Sequence, residues 1–381
     1  MKVVIAPDSF KDALRAKEVA QRIGDGLRSV APAIAIDACP IADGGEGFTE
    51  AIESAYPSQS QSQSLACTDP LGRDIRANVT VVTRSHGPRI AALELAAASG
   101  LELLVAHERE VMQTSTFGTG ELIRQTLTCQ PEHLLLGIGG SATTDGGCGL
   151  AQALGVQFSD ADGQVIVQPI TGGVLSKVNH IELGERAALP RNCSIKIACD
   201  VTNPLTGPNG AAHVYAPQKG ATLEQVEELD KGLRHMARLW LDQLGVDVEH
   251  MPGAGAAGGV GGGLVAMLGA ELLPGAELVL DTIKFDERIK GADLVITGEG
   301  RLDSQSLQGK AAMAVAKRCQ QAGVPCVALV GSVGERAEQA LNHGLTAYHV
   351  IGEGLEPAES IRRTGELLEA AAMKLAQERL T

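Results

Sequence analysis

Two short loops carry residues of the kind that move protons and hold anions. In APDSFKD, Asp8, Ser9 and Lys11 follow an apolar run, Val3-Val4-Ile5. A carboxylate there can bind a metal or take a proton, and an ammonium can neutralise an anion. Capping of a helix by Asp8 or Ser9, with Lys11 in solvent, would account for the same residues. IADGGEG repeats the arrangement after Ile34-Ala35-Ile36-Asp37. Asp43 precedes Gly44 and Gly45, which let a backbone approach a ligand closely. Glu46 is expected in the first turn of a helix, where its charge suits the dipole.

A longer glycine-rich stretch, GIGGSATTDGGCG from Gly137 to Gly149, follows the apolar run Leu134-Leu135-Leu136. Gly139 and Gly140 free successive N–H groups to face an anion, and Ser141, Thr143 and Thr144 add hydroxyl donors. Asp145 lies in the same loop, and a following helix N-terminus adds its dipole. A sharp strand-to-helix connection is the alternative. CDVTNPLTGPNGAAHVYAPQKGA offers Asp200, Asn203, Gln218 and Lys219, and TGEGRLDSQS offers Gly298, Glu299, Arg301, Asp303 and Ser304, with Lys310 beyond. GAGAAGGVGGG (Gly253 to Gly263, including Gly255) formally matches a dinucleotide fingerprint, but His250-Met251-Pro252 precede it and no apolar strand feeds the turn. Gly309-Lys310 is followed by Ala311, so there is no Walker A loop, and GxSxG is absent.

Composition narrows the partners. The 381 residues carry a net charge of -14 and only 2% aromatics, which argues against a nucleic-acid backbone or stacked bases as the ligand. An anionic substrate must be captured by fixed local donors against the overall field. No apolar stretch is long enough for a membrane span, and Asp8 and Lys11 interrupt any signal-peptide core. The eight cysteines form no CxxC pair and read as reduced thiols of a cytoplasmic protein. The scattered histidines suggest no zinc site.

These loops recur after short β-branched runs, including Ile195-Lys196-Ile197-Ala198, Leu294-Val295-Ile296 and Val327-Ala328-Leu329-Val330. Apolar strands alternating with helices predict an α/β fold with mostly parallel sheets and ligands at the strand carboxyl ends. Helical stripes run through Leu14, Val19, Ile23 and Leu27, through Val226 to Trp240 behind a Thr222–Gln225 capping box, and through Ile361, Leu368, Ala372 and Leu375. The polar PSQSQSQS (Pro57 to Ser64) reads as a surface linker, and the alternation in CTDPLGRDIRANVTVV after it as antiparallel sheet. The expected organisation is a discontinuous α/β domain, residues 1–62 plus 290–381, with an α/β domain of residues 63–289 inserted. The first strand and the strand at Leu294 should then share a sheet.

APDSFKDAL, IADGGEG, ELAAASGL, FGTGELI, GIGGSATTDGG, ACDVTNPLTGPNGAA, PQKGA, PGAGAAGG and TGEGRLDSQSLQGK occur in this order. In them the sequence resembles the bacterial type I glycerate kinases, from Met1 to at least Gly334. Phe48 and Thr144 depart from residues frequent in that family, and neither removes a charged group. The resemblance implies ATP-dependent phosphorylation of D-glycerate, usually at the 2-hydroxyl, with magnesium, in two α/β domains around a cleft, one built from both chain ends. A homo-oligomer is compatible with this reading.

Phosphoryl transfer rests on charge stabilisation and in-line positioning. On the implied activity, Asp8, Asp43 and Asp200 are the metal or base candidates, with Asp43 and Asp200 the expected metal ligands. Lys11 and Arg301 would stabilise phosphoryl charge or clamp the carboxylate. Binding of substrate or ATP is expected from Ser9, Gly44, Gly45, Glu46, Gly139, Gly140, Ser141, Asp145, Asn203, Lys219, Gly255, Gly298, Glu299 and Asp303. The rivals are 3-phosphoglycerate as product, a nicotinamide oxidoreductase using residues 253–263, and a non-catalytic sensor of a hydroxy acid. Because no strand feeds GAGAAGG, the protein is expected to bind neither NAD(H) nor NADP(H); micromolar binding in titration calorimetry would refute this.

Overall fold

The computed structural model describes residues 1–84, 87–184 and 192–379. Its strands are β1 (Lys2–Ile5), β2 (Ala35–Ala38), β3 (Ser60–Thr68), β4 (Asp74–Val82), β5 (Ile90–Glu94), β6 (His133–Gly137), β7 (Gln157–Ser159), β8 (His180–Glu182), β9 (Ser194–Ala198), β10 (Glu271–Leu273), β11 (Leu294–Leu302), β12 (Cys326–Val333) and β13 (Ala347–Val350). The contacts divide the chain into two compact units. One, discontinuous, comprises Met1–Asp43, Glu50–Ser58 and Pro274–Thr381; the other comprises Gly44–Thr49 and Gln59–Leu273. These boundaries fall at 58/59 and 273/274, against the 62/63 and 289/290 read from the sequence.

The discontinuous unit holds a five-stranded sheet in the order β13-β12-β11-β1-β2, every pair parallel. Val3 lies opposite Leu294 and Ile5 opposite Ile296, so the expected pairing of the first strand with the Leu294 strand is present. Val3, Val4 and Ile5 are fully buried without alternation, as a strand covered on both faces requires. Helices Ala16–Val30 and Thr364–Arg379 put Val19, Ile23, Leu27, Leu368 and Leu375 into one core with Val3 and Ile5. Each such side chain contributes about 1.5–3 kcal/mol by burial. Leu14 lies ahead of its helix, paired with Phe10, and Ile361 is an exposed member of a separate helix, Pro357–Arg362.

The second unit has a six-stranded sheet, β10-β9-β6-β5-β4-β3, in which β10, β9, β6 and β5 run parallel and β4 and β3 antiparallel. β7 and β8 form a small antiparallel ribbon. The polar SQSQS stretch is therefore a strand and not a linker: Ser60 to Thr68 pair with Val82 to Asp74. Its composition suits a sheet edge, where one face and one row of backbone groups meet water. The Thr222–Gln225 capping box is present, each side chain bonded to the other's backbone N–H.

All eight thiols are free, and Cys39, Cys67, Cys148, Cys319 and Cys326 are buried. No helix among the described residues is long and apolar enough to cross a membrane.

Gly26 fixes how closely the two terminal helices pack. A Cβ there would stand 2.4 Å from the Glu369 carbonyl oxygen and 2.8 Å from Ala372 Cβ. The clash outweighs the better helix propensity of alanine. Gly26→Ala is expected to destabilise the discontinuous unit by about 1–3 kcal/mol, read as a lower urea midpoint, and an unchanged midpoint would refute the contact.

Candidate functional site

In the discontinuous unit, β1, β2 and β11 run parallel, so APDSFKD, IADGG and the end of TGEGRLDS all emerge at strand carboxyl ends. The first loop keeps following β11 after β1 ends: Ala6 N donates to Ile296 O at 2.8 Å and Asp8 N to Gly298 O at 2.9 Å. β11 continues to Leu302 and carries Glu299 and Arg301 beyond the end of β1. Gly298 is buried between strands, where a Cβ would meet the Leu329 carbonyl oxygen at 2.5 Å. The absent side chain serves strand packing there.

Three carboxylates act on one another here. Burial, then the charge of Asp43, push the Asp8 carboxyl up to about 8; the Ser9 amide, donating at 2.6 Å, opposes this and Glu299 adds to it. Burial likewise raises Glu299 to about 7, with Asp303 and Asp43 adding and Ser306 and Lys310 opposing. Among the described residues the buried Glu299 Oε1 has no hydrogen-bond partner. Lys11 is exposed. Arg301, with a side chain 66% exposed, places Nε 3.2 Å from Asp303 Oδ2. Such an exposed pair contributes about 0–1 kcal/mol, which leaves the guanidinium available to an anion.

In the second unit, β6 and β9 are parallel neighbours, so the glycine loop 137–149 and the CDVTNP loop leave adjacent strand ends. Gly44 and Gly45 lie on that surface: a Cβ on Gly44 (φ +94°) would meet Ala198 Cβ at 2.6 Å, and one on Gly139 would meet Gly45 Cα at 2.7 Å. Gly44 and Gly45 thus also closely approach other segments of the same unit. Glu94 fastens the segment by accepting from Thr49 N and Thr49 Oγ1, both at 3.0 Å. Glu46 is exposed and precedes its helix, which starts at Phe48, so it is not in the first turn.

The glycine loop is built as a scaffold with an open tip. Gly140 is exposed with φ +70°, and the amides of Gly140 and Ser141 donate to no protein acceptor among the described residues. Deeper in, Ala142 N donates to Ser99 O, Thr143 N to Ser141 Oγ and Gly146 N to Gly258 O. Asp145 is fully buried. Its oxygens accept from Thr116 N (2.8 Å), Thr116 Oγ1 (2.7 Å), Gly147 N (3.1 Å) and Gly149 N (3.2 Å).

Three further candidates are taken up by neighbouring segments of the chain. The Asn203 amide accepts from Tyr215 OH at 2.6 Å and donates to Asn209 O at 2.8 Å. Gly255 is buried where a Cβ would meet the Pro204 carbonyl oxygen at 2.2 Å, and a Cβ on Gly258 would meet Thr143 O at 2.0 Å. The glycines of GAGAAGG therefore serve close packing against the neighbouring loops. Lys219 is 2% exposed, its Nζ 2.5 Å from Thr143 O and 3.3 Å from Ser141 Oγ. Asp200, by contrast, is exposed just beyond the end of β9. The supporting residues Thr116, Tyr215 and Glu94 were not singled out from the sequence. A hydroxyl before the FGTGELI helix was the one signal for Thr116; nothing local tied it to Asp145.

A model of the glycerate kinase family matches residues 3–379. The chain belongs to the glycerate kinase family. It is 44% identical to the glycerate 2-kinase of Escherichia coli strain K12, over 91% of this chain and 89% of that one. It is 42% identical to the glycerate kinase of Halalkalibacterium halodurans, over 98% and 97% respectively. A solved structure from Salmonella typhimurium LT2, described as a glycerate kinase 2, superposes with a TM-score of 0.86 at 40% identity, covering 99% of this chain and 98% of that one. The α/β architecture with mostly parallel sheets is therefore that of a glycerate kinase.

Asp8 gives a stability signature of its own. Its carboxyl titrates near 3.8 when unperturbed and at about 8 in the fold. Between these limits the native state binds the extra proton, so this group's stability contribution is complete below about pH 4 and is lost as pH rises through 8. Asp8→Asn removes that loss. In metal-free buffer the variant is expected to melt above the wild type at pH 9, with the gap closing by pH 4. A gap independent of pH would refute the assignment.

Proposed function

We propose that the protein transfers the γ-phosphoryl group of ATP to the 2-hydroxyl of D-glycerate, giving 2-phosphoglycerate and ADP. The observation that carries this reading is the family match over nearly the whole chain, with a relative named glycerate 2-kinase. The residues supply the chemistry. Asp8, held at a strand end by the Ser9 amide, takes the proton of the attacking hydroxyl at a carboxylate oxygen. Lys11 and Arg301 neutralise charge on the transferring group. The Gly140 and Ser141 amides, two successive donors without protein acceptors among the described residues, suit a phosphate or carboxylate oxygen. Ser9 and Asp303, beside Asp8 and Arg301, are proposed to orient the substrate.

Magnesium fits the donor set. Asp43 and Glu299 are hard oxygen donors, the charge of Asp43 adds to the burial that raises Glu299, and Glu299 Oε1 lacks a partner among the described residues. Among the described residues no cluster of three or more His, Cys, Asp or Glu forms a cage. Magnesium commonly uses one or two carboxylates with waters and phosphate oxygens, and needs no such cage. Asp43 with Glu299, and separately Asp200, are the residues proposed to hold it; bound there it would offset phosphate charge. The two compact units are proposed as the two domains of the enzyme.

A coupled ADP assay with ATP, magnesium and D-glycerate, with the product identified by NMR, tests the activity. Phosphorus on C2 is expected; phosphorus on C3 refutes the regiochemistry, and no ADP release refutes the activity. Asp8→Asn is expected to lower kcat by about 10²-fold or more in a folded protein. Near-normal kcat would remove Asp8 as base.

A further inference from the structure

The loop Gly137–Gly149 is held from beneath by one buried ion of each sign. Asp145 gathers amides on one side, and Lys219 reaches the same loop from a different segment. Its ammonium donates to Thr143 O at 2.5 Å and lies 3.3 Å from Ser141 Oγ. Ser141 Oγ accepts from Thr143 N at 3.1 Å, so the lysine closes a small ring around residues 141–143. The lysine backbone is fixed too. Gly220, next in sequence, has φ +96°, and a Cβ there would stand 2.0 Å from the Arg109 carbonyl oxygen.

We propose that Lys219 is a positioning residue: by fixing the Thr143 carbonyl and the Ser141 hydroxyl it sets the direction of the Gly140 and Ser141 amides, without touching a substrate. The inference rests on the reading that those amides hold a substrate anion. Packing alone does not call for a lysine. The side chain is 2% exposed, and an ammonium so enclosed is disfavoured relative to an apolar chain of similar volume. Burial lowers its pKa to about 7, with only the Asp145 charge acting in the other direction. What an apolar chain could not do is donate to Thr143 O. A loop tip displaced by about 1 Å costs on the order of 10²-fold in rate.

Lys219→Met keeps the volume and removes the donor. The expected result is a melting temperature equal to or above the wild type, with kcat/KM lower by about 10²-fold. Lys219→Ala should recover activity saturably with n-propylammonium, which replaces the missing chain, and not with n-propanol. Gly140→Val tests the underlying reading, because it crowds and strains the loop tip while leaving the Lys219 side chain unsubstituted. If Gly140→Val leaves kcat/KM unchanged, the amides hold no substrate and the reading itself fails. If Gly140→Val is impaired while folded Lys219→Met stays within about threefold of the wild type, the positioning role alone is overturned. Should Lys219→Met not fold, failure of n-propylammonium to rescue Lys219→Ala overturns the role equally.

Discussion

The ladder between β1 and β11 is the constraint on which the rest depends. It sets Val3 opposite Leu294 and Ile5 opposite Ile296, so residues nearly three hundred positions apart become sheet neighbours. Closing so long a loop costs entropy that grows only slowly with length. The buried row of Val3, Val4, Ile5, Val295 and Ile296 offsets it. The parallel direction of this pair decides which loops share a sheet end. It makes APDSFKD and TGEGRLDS leave the same end of one sheet, and it lays the Asp8 amide on the Gly298 carbonyl.

Buried charge is handled differently in the two units. In the discontinuous unit, burial and then the like charge of neighbouring carboxylates raise the affinity of Asp8 and Glu299 for protons. That is an electrostatic demand for a cation, met by protons when nothing else is bound. In the other unit, the enclosed charges of Asp145 and Lys219 are spread over fixed backbone dipoles. The first arrangement suits exchange of protons or metal; the second suits rigidity.

Glycine has an equally divided role. The tip at Gly140 uses a left-handed conformation to face solvent. Gly44, Gly255, Gly258 and Gly298 instead mark places where two backbones come too close for a Cβ. From sequence these uses look alike, because absence of a side chain is the only property on view.

The sequence by itself determined the α/β class, the order of strand and chemistry-bearing loop, the capping box at Thr222 and the family. These depend on local periodicity, on turn residues, or on long ordered motifs. Tertiary structure alone decided which loop residues face outward. Asp145, Asn203 and Lys219 have the composition of ligands, yet their polar atoms are consumed by Thr116, Tyr215, Asn209 and Thr143. It also turned the polar SQSQS stretch into an edge strand, because pairing with β4 supplied backbone bonds that its own side chains do not signal. The physical reason is the same in each case. A polar group's role is set by whether another part of the chain reaches it, and that partner lies tens to hundreds of residues away.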